Sequence, residues 1–275
     1  MHVLLTEYLT RLRTIQSRQD LIALYYWLWD RATQLENAVD VLNSSLDLTG
    51  DRRFTHDLPT VGIGGFRGLV VLGVNPGWRA DLNAREDAFC RLSKENYVDL
   101  MLGFFKTHPE VVGIHIHWWA HALSYAPLVD EWRDTYRNLE GLDRWRAAHT
   151  SQLVGGWDLI PFHSESDGVT TSLSTDNWVR TCALESIRAL ERLHPESVLV
   201  ASKAGTRLAR TLLYPALPWS DATLGTGRLR AALSRAVTPG GVEIITLSRQ
   251  LSAPRNFTDA ELIAGVRALR GRRSA

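Results

Sequence analysis

The chain has little cysteine, no long apolar run and almost no excess charge, and each shortage removes a class of protein. Only Cys90 and Cys182 occur, far apart in segments that read as helices. A disulfide framework and a four-cysteine zinc or iron–sulfur site are therefore excluded within one chain. No apolar stretch approaches the roughly 20 residues of a bilayer span. Glu7, Arg11 and Arg13 interrupt the first apolar positions, so no signal-peptide core is expected. A reduced, cytoplasmic protein with no membrane partner is the resulting expectation. The formal net charge of +1 rules out a polycation. Any nucleic-acid surface must come from a local cluster among the 31 Lys and Arg. Internal repeats and low-complexity segments are also missing.

What is there is an ordinary globular composition, 45% hydrophobic and 22% charged over 275 residues. That is enough chain to bury a sizeable core as one domain, 1–275. Helical spacing of Leu5, Tyr8, Leu9, Leu12 and Ile15, then Leu21, Leu24, Tyr25 and Leu28, predicts one or two helices in an N-terminal extension over 1–60. Four short apolar runs predict strands: Leu69 to Gly73, Trp157 to Ile160, Ser197 to Ala201 and Val242 to Leu247. Between them, Asp176 caps a helix reaching about Leu193, and Lys203 to Leu213 reads as another. Thr258 with Glu261 forms a capping box for the last helix. Residues 85–150 read as a helical insertion carrying Trp118, Trp119, Trp132 and Trp145. The alternation predicts an α/β fold: a central, mostly parallel, four-stranded sheet flanked by helices.

In such a sheet, functional groups gather beyond the carboxyl ends of the strands. Three loops qualify. The first is Gly73-Val74-Asn75-Pro76-Gly77-Trp78, a strand end followed by a tight turn that lets another molecule approach the backbone. The second is Trp157-Asp158-Leu159-Ile160-Pro161-Phe162-His163-Ser164. The third is Thr246-Leu247-Ser248-Arg249-Gln250-Leu251-Ser252-Ala253-Pro254-Arg255-Asn256. Taken singly, each has a plain alternative: a turn that contains Asn, a strand-end Asp that caps backbone, a core Phe, a structural His, a solvated Arg.

Taken in order, the loops resemble the motifs of the uracil-DNA glycosylase superfamily, most closely its mismatch-specific and single-strand-selective branches. Leu72-Gly73-Val74-Asn75-Pro76-Gly77 matches the first motif of those branches. Pro254-Arg255-Asn256 matches the end of the third, and Asp158 falls where the family has a base-reading Asn. The resemblance covers about residues 65–270 and implies that Asn75 positions the attacking water. It implies a pocket around the flipped base from Pro76, Gly77, Trp78, Asp158 and Phe162. It also implies DNA contacts from Arg249, Ser252, Pro254, Arg255 and Asn256. The family's third-loop His falls on Leu251 or Gln250, so His163 is the candidate to support the departing base. An amide can hold a water but cannot take its proton, so such a site depends on stabilising the leaving base.

Asp in place of Asn changes what the pocket reads. An ionised carboxylate only accepts hydrogen bonds, which suits the N4 amino group of cytosine and repels uracil O4. With the aromatic insertion, this points to a bulky modified cytosine, such as glucosylated hydroxymethylcytosine in phage DNA. The protein would then be a monomeric, cofactor-free and metal-free glycosylase for antiphage defence, flipping its base and leaving an abasic site. Competing readings are a uracil or mismatch repair glycosylase, a non-catalytic DNA-binding member of the fold, and a hydrolase of free nucleosides. A zinc site from His115, His117 and His121 is disfavoured because the first two do not share a helical face. Gly62-Ile63-Gly64-Gly65 and Gly225-Thr226-Gly227 fit no phosphate-loop pattern and read as turns.

Overall fold

The structure is a computed structural model that describes residues 2–56, 59–74, 93–102, 128, 153–164, 173, 177–249 and 255–271. The chain forms two compact units, each assembled from separate segments: 1–64, 73–116 and 157–193 in the first, 65–72, 117–156 and 194–275 in the second. Among the described residues no helix is long and apolar enough to cross a membrane.

The first unit is built around helices α1 (Val3–Thr14), α2 (Arg18–Asp30), α3 (Ala32–Ser45), α4 (Lys94–Met101) and α5 (Asn177–Arg192). Every apolar residue that the N-terminal spacing singled out is buried. Each such side chain contributes about 1.5–3 kcal/mol by leaving water. Ser17 ends the link between α1 and α2 by accepting from the Asp20 amide, while the Asp20 carboxylate accepts from the Gln16 amide. Helix α5 packs along α1, and Arg192 caps it by donating to the carbonyls of Leu12 and Ile15. Those carbonyls lie at the end of α1, where helical partners run out.

The strands are β1 (Gly62–Gly64), β2 (Leu69–Gly73), β3 (Val154–Asp158), β4 (Ser197–Ala201), β5 (Ser220–Leu224), β6 (Ala231–Val237) and β7 (Glu243–Leu247). Their order in the sheet is β1-β3-β2-β4-β7-β6-β5. Strand β2 is parallel to β4 and β4 to β7, whereas β6 is antiparallel to both β7 and β5. The fold is thus α/β with a mixed sheet flanked by helices.

The four predicted strands are all present, but the sheet has seven strands rather than four, with β1, β5 and β6 added, and it is mixed. Strand β3 begins at Val154 and ends at Asp158, three residues earlier than the apolar run suggested at its start. Gly155 and Gly156 hid that start, because glycine weakens a strand reading. Gly62–Gly64 is a strand rather than a turn, tied to β3 by the Asp158 amide on the Val61 carbonyl and, farther along, the Gly65 amide on the Val154 carbonyl. Close backbone approach explains the glycines: a Cβ on Gly155 would overlap the carbonyl of Gly65. Gly225–Gly227, by contrast, does lie in the turn between β5 and β6.

In the second unit, helix α6 (Lys203–Leu208) packs on β4 and β7, and α7 (Asp259–Gly271) on β5 and β6. Ser202 caps α6 through the Gly205 amide. Thr258 and Glu261 exchange the reciprocal bonds of a capping box at the start of α7. Buried Glu243 ties the amino-terminal end of β7 together, accepting from Arg235, Arg270 and Ser197.

Candidate functional site

Strands β2 and β3 deliver the first two loops side by side within the first unit. Beyond the formal strand ends, the Leu159 amide donates to the Gly73 carbonyl at 3.2 Å and the Ile160 amide to the Val74 carbonyl at 2.9 Å. The segment before β1 runs along the other side. There the Asp158 amide donates to Val61, the Thr60 amide to Pro161 and the Thr55 amide to His163. Helices α2 and α4 brace that segment: Tyr25 donates its hydroxyl to the Gly62 carbonyl at 2.7 Å, and Tyr97 to the Pro59 carbonyl at 3.0 Å.

Asp158 is fixed from behind. Its carbonyl accepts from the Ser186 hydroxyl at 3.2 Å, and that hydroxyl accepts from the Trp157 indole at 2.8 Å. The main chain is therefore held on one side by the Val61 carbonyl and on the other by α5. The carboxylate turns toward β2, where its Oδ1 fills the space that a side chain at Gly73 would occupy. Glycine at the end of β2 is thus a requirement of Asp158, beyond any demand of the turn that follows.

Burial pushes the Asp158 carboxyl up from 3.8 to about 8. The residue as a whole is half-buried. The Tyr8 phenol, raised well above its usual range by burial, is one group that feels Asp158, after Cys182, Tyr25 and Tyr97. This corrects the expectation of an ionised, acceptor-only Asp. At neutral pH the group is largely protonated, so it offers one O–H donor and one carbonyl acceptor. The sequence could not show this, because the neighbours that exclude water come from residues far away in the chain.

No protein-family model matches this chain, and no curated protein does. The site therefore has to be judged on its own geometry.

Phe162 lies in the core, stacked on Trp178 and tilted against Phe54 with centroids 5.8 Å away in each case. A ring so enclosed supports the fold and has no face left to offer a base. His163 is also buried, with Nε2 at 3.2 Å from the Thr60 hydroxyl. Asn75, Pro76, Gly77 and Trp78 lie outside the described residues, as do Ser252, Pro254 and the three histidines 115, 117 and 121.

Arg249, Arg255 and Asn256 belong to the second unit. Arg255 pairs with Asp259 at 2.5 Å and lies over the Phe257 ring. Asn256 donates its amide to the Thr226 carbonyl, and its Oδ1 lies against Gly225. Arg255 and Asn256 thus have internal work in the second unit, securing α7 and the β5–β6 turn. Arg249 directly follows Ser248, whose hydroxyl and amide both bond the backbone of Ala232.

Proposed function

We propose that the chain is a monofunctional DNA glycosylase acting on a flipped pyrimidine. The substrate is a modified cytosine, such as glucosylated hydroxymethylcytosine in phage DNA, and the product is an abasic site. What supports this reading is the carboxyl of Asp158 at the carboxyl ends of β2 and β3, seated over Gly73 and raised to about 8 by burial.

The chemistry follows from that one group. A neutral carboxyl can donate to cytosine N3 and accept from the N4 amino group at once. When the bond between C1′ and N1 breaks, its electron pair goes to the base, and N3 becomes more basic. Asp158 delivers its proton there, so the base leaves neutral and the carboxylate remains. Water adds to C1′ and loses its proton to solvent. Hydrogen bonding alone does not reject uracil, because the same carboxyl reversed can donate to O4 and accept from N3–H. Leaving ability makes the difference: uracil departs readily as an anion, whereas cytosine needs the proton. A raised carboxyl therefore suits the poorer leaving group.

The test is incubation with DNAs that contain uracil, a thymine mismatch, cytosine, hydroxymethylcytosine or its glucosylated form, scored by alkali cleavage at abasic sites. Cleavage confined to modified-cytosine DNA and lost in Asp158→Ala supports the proposal. Equal cleavage of uracil DNA would move the assignment to repair. No product from any DNA, with DNA binding intact, would make the protein a non-catalytic binder.

A further inference from the structure

The hairpin of β5 and β6 closes through residues 225–230, with Gly225 and Gly227 at φ of 69° and 62° and a single 3-10 turn at Gly227–Leu229. Those left-handed conformations make the turn tight and fix which side chains face outward. Arg228, Leu229 and Arg230 are all exposed, Leu229 to 39%. Neither arginine's side chain makes a hydrogen bond or an ion pair among the described residues. Four other arginines of the second unit are paired: Arg210 with Asp221, Arg235 and Arg270 with Glu243, Arg255 with Asp259. No acidic residue occurs between Asp221 and Glu243, so the tip's positive charge is locally uncompensated.

Its position matters as much as its charge. Leu247 at the end of β7 pairs with Ala201 at the end of β4 and with Leu233 near the start of β6. The tip therefore stands at the carboxyl edge of the parallel strands, where α/β sheets take their ligands. Asn256 grips the tip through Thr226 and Gly225. An amide that the sequence nominated as a DNA contact instead holds this turn in shape.

We propose that the Arg228-Leu229-Arg230 tip is a DNA-binding surface, its two guanidinium groups taking backbone phosphates and Leu229 lying against a sugar or base between them. This rests on the glycosylase reading above. Two cations two residues apart on a rigid turn suit successive phosphates, and a partly exposed leucine between them needs an apolar partner that a nucleotide supplies. With a chain net charge of +1, steering toward DNA has to come from such local clusters.

The experiment measures binding of the full chain to a fluorescent duplex by anisotropy over a salt series, for wild type, Arg228→Glu/Arg230→Glu and Leu229→Ala. Thermal unfolding of each variant serves as the folding control. The expected result is that the double variant binds about tenfold or more weakly, with a salt slope reduced by about two. Leu229→Ala should lose about threefold with the slope unchanged. Wild-type binding matched by the folded double variant in both affinity and slope would overturn the tip proposal and leave the glycosylase reading standing. A double variant that keeps DNA binding but loses binding to phosphatidylserine vesicles would overturn it in favour of a lipid surface. No DNA binding by wild type would overturn the glycosylase reading itself.

Discussion

Asp158 Oδ1 occupies the place where a side chain at residue 73 would begin, so the ends of β2 and β3 are complementary: one lacks a side chain where the other buries a carboxyl. A methyl group at residue 73 has nowhere to go without displacing Asp158. Gly73→Ala should therefore destabilise the protein by about 1–3 kcal/mol, the usual range for overpacking. In an Asp158→Ala background the same substitution should cost much less. Urea unfolding of the two single variants and the double variant checks this. Equal costs of Gly73→Ala in both backgrounds would show that the carboxyl is not the obstacle.

The raised carboxyl makes stability depend on pH with a definite sign. Below 3.8 the group is protonated whether the chain is folded or not, so it has no effect. Between 3.8 and about 8 the unfolded chain has lost the proton and the folded one keeps it, so stability falls as pH rises. Above about 8 both forms are ionised and the loss is complete. Asp158→Asn should remove that slope. Its advantage over wild type should grow by about 4 kcal/mol from pH 5 to pH 8.5. Parallel unfolding curves for the two proteins across that range would show that the carboxyl is ionised all along.

The same group predicts the pH profile of catalysis. Since the protonated form gives the proton to the leaving base, single-turnover rates on the modified substrate should decline above about pH 8. In Asp158→Asn the amide cannot transfer a proton, so the rate should drop by about 100-fold or more and lose that limb. A wild-type rate that stays level to pH 10 would remove Asp158 from the proton-transfer step.

Glu243 is a buried carboxylate of the second unit held by two arginines. It is 6% exposed and accepts from Arg235, Arg270 and Ser197, with both closest guanidinium contacts at 2.6 Å. These donors hold its carboxyl below the usual range despite burial. A lowered folded-state value means that the stabilisation is present above the unfolded value and disappears as pH falls through the folded one. Glu243→Ala leaves two arginines facing an empty space and should cost about 3–5 kcal/mol at neutral pH. The cost should shrink in acid, and denaturant unfolding at pH 7 and pH 3 measures both values.

The parts of this architecture that sequence reveals are those written in contiguous residues. Leu69-Val70-Val71-Leu72 and Ser197-Val198-Leu199-Val200 announce buried strands by composition, and Thr258 with Glu261 announces a helix start. Strands β5 and β6 lack that signature: Ser220-Asp221-Ala222-Thr223 is largely exposed, and Ala231-Ala232-Leu233 has no strand preference, so pairing of β6 with β7 and of β5 with β6 decides their state. The position of Asp158 at a strand end was legible. The rise of its carboxyl through burial was not, because the segments that enclose it, such as α1 with Tyr8 and α5 with Ser186, are remote in sequence. The Pro254-Arg255-Asn256 motif named residues worth examining, but Asp259 and Thr226, which engage two of them, could not be read from the motif.

Ser186 links α5 to the site and offers a test that separates positioning from chemistry. Its hydroxyl receives the buried Trp157 indole proton and donates to the Asp158 carbonyl, so it fixes both the strand's last aromatic residue and the backbone that aims the carboxyl. Ser186→Ala leaves a buried indole N–H and a carbonyl without this partner, at a cost of about 1–3 kcal/mol. If Ser186 acts only through Asp158, kcat should fall while the pH at which activity declines stays the same, because the carboxyl's surroundings are otherwise retained. Ser186→Thr keeps the hydroxyl and should restore most of both stability and rate. A Thr variant as slow as the Ala variant would mean that α5 packing, rather than the hydroxyl, sets the carboxyl in place.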